Sequence, residues 1–208
     1  MQSPPGDTRS RLLQAASDLL ADGGPEAVTL RAVGAAAGLS RGAAYRHFGD
    51  KDGLLSAIAA ENLELIGRRM QRGAASRTGG RTPLCGALLG YVEGAMARPA
   101  HYRLVFGDFQ IGNPSKALED AATACTEYLY ELIRDGQREG TIISGDIREI
   151  TALMWAAVHG LVDLTLAGHL REPRTIDGAR TTPRLVELAI DAIAPRHDGV
   201  SPGTTSLS

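Results

Sequence analysis

Residues 38–48 read GLSRGAAYRHF, and this short stretch decides how the first part of the chain folds. Before it, Thr29 is a residue type that caps helix N-termini, and the glycine that opens the stretch allows a sharp stop. Ser40 can cap a following helix in which Ala44 and Phe48, four residues apart, face inward. The residues left to point outward or sideways are Arg41, Gly42, Ala43, Tyr45, Arg46 and His47. The pattern predicts a helix, a glycine turn and a short helix with a polar, cationic outer face.

A helix-turn-helix of this kind is suited to binding DNA in the major groove. The small residues Gly42 and Ala43 would let the second helix approach a groove closely, and Arg41 can reach a guanine edge or a phosphate. A helical hairpin with basic residues on a solvated face has the same pattern and binds nothing. Spacing alone therefore leaves both interpretations open.

The composition of the whole chain favours an all-α protein. Its 208 residues are 43% hydrophobic and only 4% aromatic, which suits helices packed closely through small side chains. The net charge of −2 excludes a basic protein that coats nucleic acid. Residues 1–77 carry 10 Lys and Arg against 8 Asp and Glu, whereas residues 78–208 carry 12 against 16. A polyanion is therefore expected to bind the N-terminal part.

Helix signals recur along the chain and predict about nine helices. Capping residues followed by proline begin three of them, at Thr82, Asn113 and Thr182, and Asp146 with a glutamate three residues later resembles a capping box. Glycine and proline at residues 23–25 predict a helix end. The predicted helices lie near residues 8–22, 29–37, 41–48, 51–73, 83–97, 99–107, 114–139, 146–170 and 183–194.

Other segments bear on location and on cysteine chemistry. The N-terminus has no apolar run of the signal-peptide type, and the longest apolar stretch is interrupted by His159 and Asp163, so we expect a cytoplasmic protein without a membrane partner. Cys85 and Cys125 have no neighbouring ligands at metal spacing and are predicted to be free, buried thiols. Three segments are predicted to be loose: residues 73–83, residues 171–181 and the tail from Pro195.

Residues 29–55, TLRAVGAAAGLSRGAAYRHFGDKDGLL, resemble the DNA-binding signature of the tetracycline-repressor (TetR) family of bacterial transcription regulators. The resemblance implies a three-helix helix-turn-helix domain at residues 7–53. It also implies a helical ligand-binding and dimerisation bundle at residues 54–195, followed by a disordered tail at residues 196–208. An all-α chain of two domains is therefore expected.

The same resemblance assigns roles within the helix-turn-helix. Tyr45, His47 and Lys51 would contact backbone phosphates, and a phosphate at Lys51 would relieve the conflict between a cation and the positive end of a helix dipole. Asp50 and Asp52 already offer partial relief of that conflict. At Ala43 many family members have a hydroxyl-bearing residue, so a contact expected there is absent from this chain. The DNA-binding residues that the resemblance implies are Thr29, Ser40, Arg41, Gly42, Ala43, Tyr45, Arg46, His47 and Lys51.

The C-terminal part resembles a subgroup of the family with a Trp-His-Gly (WHG) pattern, here Trp155, His159 and Gly160. Trp155, His159 and Val162 share one helical stripe, which is either plain core or the wall of a pocket. His159 with Asp163 lacks a third metal ligand, so no metal, cofactor or catalytic residue is predicted. The residues expected to line a pocket for a small, largely apolar effector are Tyr91, Met96, Tyr102, Phe106, Phe109, Cys125, Tyr128, Trp155 and His159.

Small and apolar residues on the last two predicted helices predict a homodimer. Two such helices from each subunit would form an isologous four-helix interface. The dimer would present two recognition helices about 34 Å apart to a near-palindromic operator in double-stranded DNA. The residues expected at the interface are Ala156, Gly160, Ala167, Leu185, Leu188, Ala189 and Ala192.

Taken with the resemblance, these features favour a homodimeric repressor that a small molecule releases from its operator. A transcriptional activator of the same fold is one alternative, because activation depends on where the operator lies. A helical-bundle enzyme whose N-terminal domain docks a partner is the other.

Overall fold

The structure, a computed structural model, describes residues 5–76, 81–170 and 181–195. In these ranges it contains nine α-helices and no strand, which confirms the all-α prediction. The predicted tail at residues 196–208 and most of the predicted loose segment 171–181 lie outside the described residues. The helices are α1 (Pro5–Ala27), α2 (Leu30–Ala36), α3 (Arg41–Phe48), α4 (Lys51–Ala75), α5 (Pro83–Ala97), α6 (Pro99–Phe106), α7 (Lys116–Arg138), α8 (Ile147–Leu166) and α9 (Thr181–Asp191).

Several helices begin at the capping residues that were predicted. The side-chain oxygens of Thr29, Ser40 and Thr82 each accept a hydrogen bond from the backbone N–H three residues on, at 3.1–3.2 Å. Asp146 accepts from the backbone N–H two residues on, at 2.7 Å. Each bond satisfies a donor that the first turn of a helix leaves unpaired, so these starts depend on local chemistry alone.

The predicted end of the first helix is confirmed as a break within α1. Gly24, with φ of 67° and ψ of −172°, leaves the helical conformation, and a second helical segment follows it as far as Ala27. Glycine tolerates this conformation, and the proline after it is compatible with the first turn of a resumed helix.

Two other helix boundaries differ from the prediction. α7 begins at Lys116 because the hydroxyl of Ser115, rather than Asn113, accepts the capping hydrogen bond. α8 ends at Leu166, and Gly168, with φ of 76°, takes the left-handed conformation that closes many helices.

Two apolar cores share α4. Its first half contributes Leu54, Leu55 and Ile58 to a core with α1 and α2. We call α1, α2, α3 and this half of α4 the head. Its second half contributes Ile66 and Met70 to a core with α5, α7, α8 and α9, which we call the body. α6 supplies residues to both cores. The division predicted between residues 53 and 54 stays a prediction.

Glycines bring α4 and α5 into backbone contact. A Cβ added to Gly73 would lie 2.0 Å from the carbonyl oxygen of Gly86, and one added to Gly86 would lie 2.0 Å from that of Gly73. A Cβ added to Gly90 would lie 2.4 Å from the carbonyl oxygen of Arg69. No side chain fits at these three positions, so the two helices lie closer than larger residues would allow.

A buried polar network connects α1 of the head to α6. The guanidinium of Arg98 donates to Ser17 Oγ at 2.6 Å and to His101 Nε2 at 2.7 Å, and Ser17 Oγ lies 2.7 Å from the same nitrogen. A guanidinium only donates, so His101 Nε2 accepts and the imidazole is neutral. Burial, together with the nearby Arg98 charge, lowers the pKa of His101 to about 4.

Candidate nucleic-acid interface and ligand site

The outer face of α3 presents a joined cationic and aromatic pair. The guanidinium of Arg41 donates to Tyr45 Oη at 2.9 Å and lies 5.0 Å from the centre of the Tyr45 ring. Arg41, Gly42, Tyr45 and Arg46 are exposed, and a Cβ added to Gly42 would meet only the Ser40 hydroxyl, at 3.8 Å. This face can therefore come close to a surface while offering donors and a ring to it.

The expectation that Ala43 faces outward is wrong. Ala43 is only 4% exposed and, like Ala44, lies among the buried residues of α3. Consecutive residues are separated by about 100° around a helix, and α3 packs against α1, α2 and α4, so its buried arc includes both alanines. Direct contact from the Ala43 side chain is therefore not available in this conformation.

The other predicted DNA-binding residues of the head differ in exposure. Thr29 is exposed and caps α2, and His47 is half-buried. Sequence reasoning missed Arg9, whose guanidinium lies 5.5 Å from the centre of the Phe48 ring. No spacing rule connects residues so far apart, so only the fold reveals that Arg9 adds a cation at the end of α3.

Lys51 already has a partner at the start of α4. Its ammonium group lies 3.3 Å from a carboxylate oxygen of Glu26 and 5.9 Å from the centre of the Phe109 ring. The N-terminus of α4 is capped by Asp50. These two carboxylates offset the unfavourable interaction between the Lys51 cation and the helix dipole, as a phosphate was expected to do. A phosphate at Lys51 must therefore compete with Glu26, whose side chain is 85% exposed.

In the body, an aromatic cluster surrounds His159. Tyr91 Oη lies 2.9 Å from its Nε2 and Tyr102 Oη lies 3.0 Å from its Nδ1. Trp155 and Phe106 pack on the same imidazole, with ring centroids 4.7 Å and 4.4 Å from it. A neutral imidazole has one donor and one acceptor nitrogen, so one tyrosine donates to it and the other accepts from it.

Burial sets the ionisation of this aromatic cluster. Desolvation raises the pKa of both Tyr91 and Tyr102. Desolvation also lowers the pKa of His159, and the nearby charge of Asp163 opposes that change in part. The cluster is thus a hydrogen-bonded group of neutral rings, suited to an uncharged or weakly polar ligand.

The structure divides the nine predicted pocket residues among several places. Five of them belong to the aromatic cluster: Tyr91, Tyr102, Phe106, Trp155 and His159. Met96 packs half-buried against the body core. Phe106 also lines, with Phe109, a cleft of about 580 Å³ between α1, α6 and α8. Cys125 and Tyr128 line a separate cleft of about 180 Å³ between α4 and α7.

The two cysteines are free and buried, as predicted, and desolvation raises the pKa of each thiol. Within the part of the chain that the structure describes, no three His, Cys, Asp or Glu side chains are placed to hold one metal ion.

An apolar face remains uncovered on α8 and α9. Leu153, Leu164 and Leu188 are 56%, 44% and 45% exposed. Among the described helices, α8 alone is long and apolar enough to cross a membrane by length and composition, which is weak evidence for a membrane span. Only 28% of the most apolar stretch of α8 is buried within the subunit. The seven residues predicted at a dimer interface are exposed or half-buried, and they lie on these helices or directly after their C-terminal ends: Ala156, Gly160, Ala167, Leu185, Leu188, Ala189 and Ala192.

Two family descriptions match the chain. "Bacterial regulatory proteins, tetR family" matches residues 12–58, and "Tetracyclin repressor-like, C-terminal domain" matches residues 84–193, more than half of the chain.

Curated relatives match over shorter stretches. The HTH-type transcriptional activator FasR of Mycolicibacterium smegmatis is 26% identical over 132 residues, which are 62% of this chain and 60% of FasR. The HTH-type transcriptional repressor AcnR of Corynebacterium glutamicum is 41% identical over 58 residues, or 28% of this chain and 31% of AcnR. The chain thus spans less than two thirds of the length of either relative.

Solved structures share the fold over nearly the whole chain. A protein of unknown function from Rhodococcus sp. RHA1 superposes with a TM-score of 0.75 at 25% identity, covering 92% of this chain and 96% of its own. A TetR family transcription regulator from Marinobacter aquaeolei superposes with a TM-score of 0.68 at 21% identity, covering 92% and 97%.

Proposed function

Because this chain belongs to the TetR family of bacterial regulatory proteins, we propose that it is a homodimeric repressor that leaves its operator when a small molecule binds the body. The outer face of α3 carries the proposal: Arg41, held against Tyr45, stands beside the exposed Gly42 and Arg46. The DNA-binding set comprises Thr29, Ser40, Arg41, Gly42, Tyr45, Arg46, His47 and Lys51. Ala43 is not included because its side chain is buried where α3 packs against its neighbours.

The uncovered face of α8 and α9 supports the homodimer. Large apolar side chains such as Leu153 and Leu188 are seldom left together on the surface of a monomer. Small residues at Ala156 and Gly160 would let a second α8 approach closely, and a Cβ added to Gly160 meets nothing within 4 Å. Two heads held in this way would read two half-sites about 34 Å apart, in the cytoplasm where the operator lies.

Neighbouring residues of α6 support the coupling between ligand and DNA. His101 belongs to the polar network that reaches Ser17 in the head, and the next residue, Tyr102, bonds to His159 in the aromatic cluster. A ligand that displaces Tyr102 and shifts α6 would therefore also disturb the contact of α6 with α1. A hundredfold loss of operator affinity requires about 2.7 kcal/mol of coupling, within the usual range.

The ligand is expected to be largely apolar with one or two hydrogen-bonding groups. The rings around His159 offer apolar surface and few ionised groups, and the imidazole can bond to a ligand once a tyrosine is displaced. Trp155 is the only tryptophan in the chain, so its emission reports on this cluster alone.

The test follows operator DNA and Trp155 together. Fluorescence anisotropy of the DNA flanking the protein's own gene should show saturable binding that resists competitor DNA. A compound that releases this DNA should change Trp155 emission over the same concentrations. His159→Ala should weaken its potency at least about tenfold, the loss of one or more buried hydrogen bonds. Tyr128→Phe, in the separate α4–α7 cleft, is the matched control and should leave potency unchanged.

Release of DNA with unchanged emission and unchanged potency in His159→Ala would place the ligand site elsewhere. Failure of the chain to bind any flanking DNA above competitor would remove the repressor proposal itself.

An activator of the same fold is the second candidate, and the match to the activator FasR favours it. A reporter driven by the adjacent promoter separates the two roles. Deleting the gene for this chain should raise reporter expression if it is a repressor and lower it if it is an activator. The names of the curated relatives concern transcription, so we place both roles ahead of an enzyme.

A further inference from the structure

A cleft at the far end of α4 gathers three arginines. Among the described residues, Arg69, Arg72 and Arg81 line a space of about 280 Å³ together with Leu89 and one carboxylate, that of Glu93. Its floor is the contact of α4 with α5 at Gly73, Gly86 and Gly90, where an added Cβ would collide with backbone. Because glycine has no side chain, the floor is backbone, and the guanidinium groups of the arginines lie at the sides of the cleft.

In the part of the chain that the structure describes, two of these arginines, Arg69 and Arg72, take part in no ion pair or side-chain hydrogen bond. The adjacent Arg68, outside this cleft, pairs with Glu64 at 3.6 Å. Arg81 is held by Glu187 of α9 at 3.0 Å, which fixes its position at the rim. The cleft therefore has a positive balance, with three guanidinium groups against the carboxylates of Glu93 and Glu187.

The position of the cleft separates it from the face that binds DNA. Arg69 and Arg72 follow Lys51 by 18 and 21 positions on the same helix. At 1.5 Å per residue they lie about 27 Å and 32 Å along α4 from its head end. A duplex docked on α3 does not reach them, so operator binding does not explain why these cations are together.

We propose that this cleft binds the phosphate group of a phosphorylated small molecule. Planar guanidinium groups bind phosphate oxygens through paired hydrogen bonds, and two unpaired arginines beside a fixed third provide such donors. Leu89 supplies an apolar wall for the rest of the molecule. The volume is at the small end of ligand pockets, which suits a compact phosphate ester and not a polymer.

Pyrophosphate is the probe for the test. Isothermal titration of the full chain, with ionic strength held constant by sodium chloride, should show saturable binding at one site per chain. Arg72→Gln and Arg69→Gln should each raise the dissociation constant at least about tenfold, the usual cost of a lost charged hydrogen bond. Arg68→Gln removes the same charge from the same helix beside the cleft and should change it less than about twofold.

Three results would overturn the proposal. Pyrophosphate that fails to saturate the parent chain excludes the site. If Arg68→Gln and Arg72→Gln weaken pyrophosphate binding equally, the binding reflects only general attraction between charges. Loss of operator affinity in Arg72→Gln, with Arg68→Gln unaffected, makes the arginines DNA contacts. Operator binding by the parent chain is measured in parallel, so the first two results leave the repressor proposal intact.

Discussion

At the scale of single residues, α4 contains a buried amide. Asn62 is 1% exposed, and among the described residues neither its side-chain nitrogen nor its oxygen has a hydrogen-bond partner. A few residues earlier, Ser56 is also fully buried, but its hydroxyl accepts from the backbone N–H of Ser115 at 3.1 Å. The two side chains are similarly buried, but only the Ser56 hydroxyl is hydrogen-bonded among the described residues.

Substitutions at these positions should therefore change stability in opposite directions. Asn62→Leu should raise the free energy of unfolding by about 1–3 kcal/mol, because it removes an unsatisfied group and keeps the branched shape. Ser56→Ala should lower it by about 1 kcal/mol, because it leaves the Ser115 N–H unpaired. Urea denaturation measures both. A destabilised Asn62→Leu would mean that ordered water satisfies the amide or that leucine overfills the site.

His101 makes stability depend on pH. Its pKa is about 4 in the folded chain and near 6.5 when unfolded, so the unfolded chain binds the proton first as the pH falls. The contribution of His101 is fully present above pH 6.5 and is lost progressively toward pH 4. The lowered pKa of His159 acts in the same direction.

Urea midpoints measured at intervals from pH 7.5 to 4.5 should fall more steeply for the parent than for His101→Gln. The amide oxygen of glutamine can still accept from Arg98, but the side chain does not titrate. Parallel curves for the two proteins would show that another group causes the acid sensitivity.

At the scale of helices, the two ends of the α3–α4 unit should affect DNA binding differently. Arg41→Ala and Tyr45→Phe should each weaken specific operator binding by about 1–3 kcal/mol, since they break the exposed pair on α3. Lys51→Ala should weaken binding to all sequences and reduce the slope of log affinity against log salt by about one unit. Anisotropy titrations with operator and random DNA at several salt concentrations distinguish the two effects.

Glu26→Gln is the matched control for Lys51. It removes the competing carboxylate at 3.3 Å and should strengthen binding to any DNA if Lys51 contacts a phosphate. Unchanged affinity in both Lys51→Ala and Glu26→Gln would leave the ion pair as a contact between α1 and α4 alone.

The helices also show which features a sequence can predict. Starts at Thr29, Ser40 and Thr82 depend on bonds spanning three residues, and these were predicted correctly. The inward direction of the Ala43 side chain was not predicted, because it depends on how neighbouring helices cover α3. The Ser17–His101 contact joins residues 84 positions apart, and only the tertiary fold brings them together. Pairing of Arg41 with Tyr45, four residues on, lies within the reach of helical periodicity.

At the scale of the whole molecule, the uncovered face of α8 and α9 should decide the oligomeric state. Leu188→Arg or Ala156→Glu should produce monomers with weak operator binding, because each places an unpaired charge in the proposed interface. Size-exclusion chromatography with light scattering measures the mass. Ala122→Glu adds the same charge at an exposed alanine of α7 and should leave the dimer intact. A monomeric parent chain would contradict the proposed assembly.

If α4 tilts about its glycine contact with α5, it would act as a lever. The pivot would lie near Gly73, where an added Cβ would collide with backbone, and the far end would carry Lys51 beside α3. The arm between them is about 33 Å long at 1.5 Å per residue. A tilt of about 4° at the pivot would therefore displace the far end by about 2 Å over that length. Opposite tilts in two subunits would change the separation of their recognition helices by about 4 Å, more than the length of a hydrogen bond to a base.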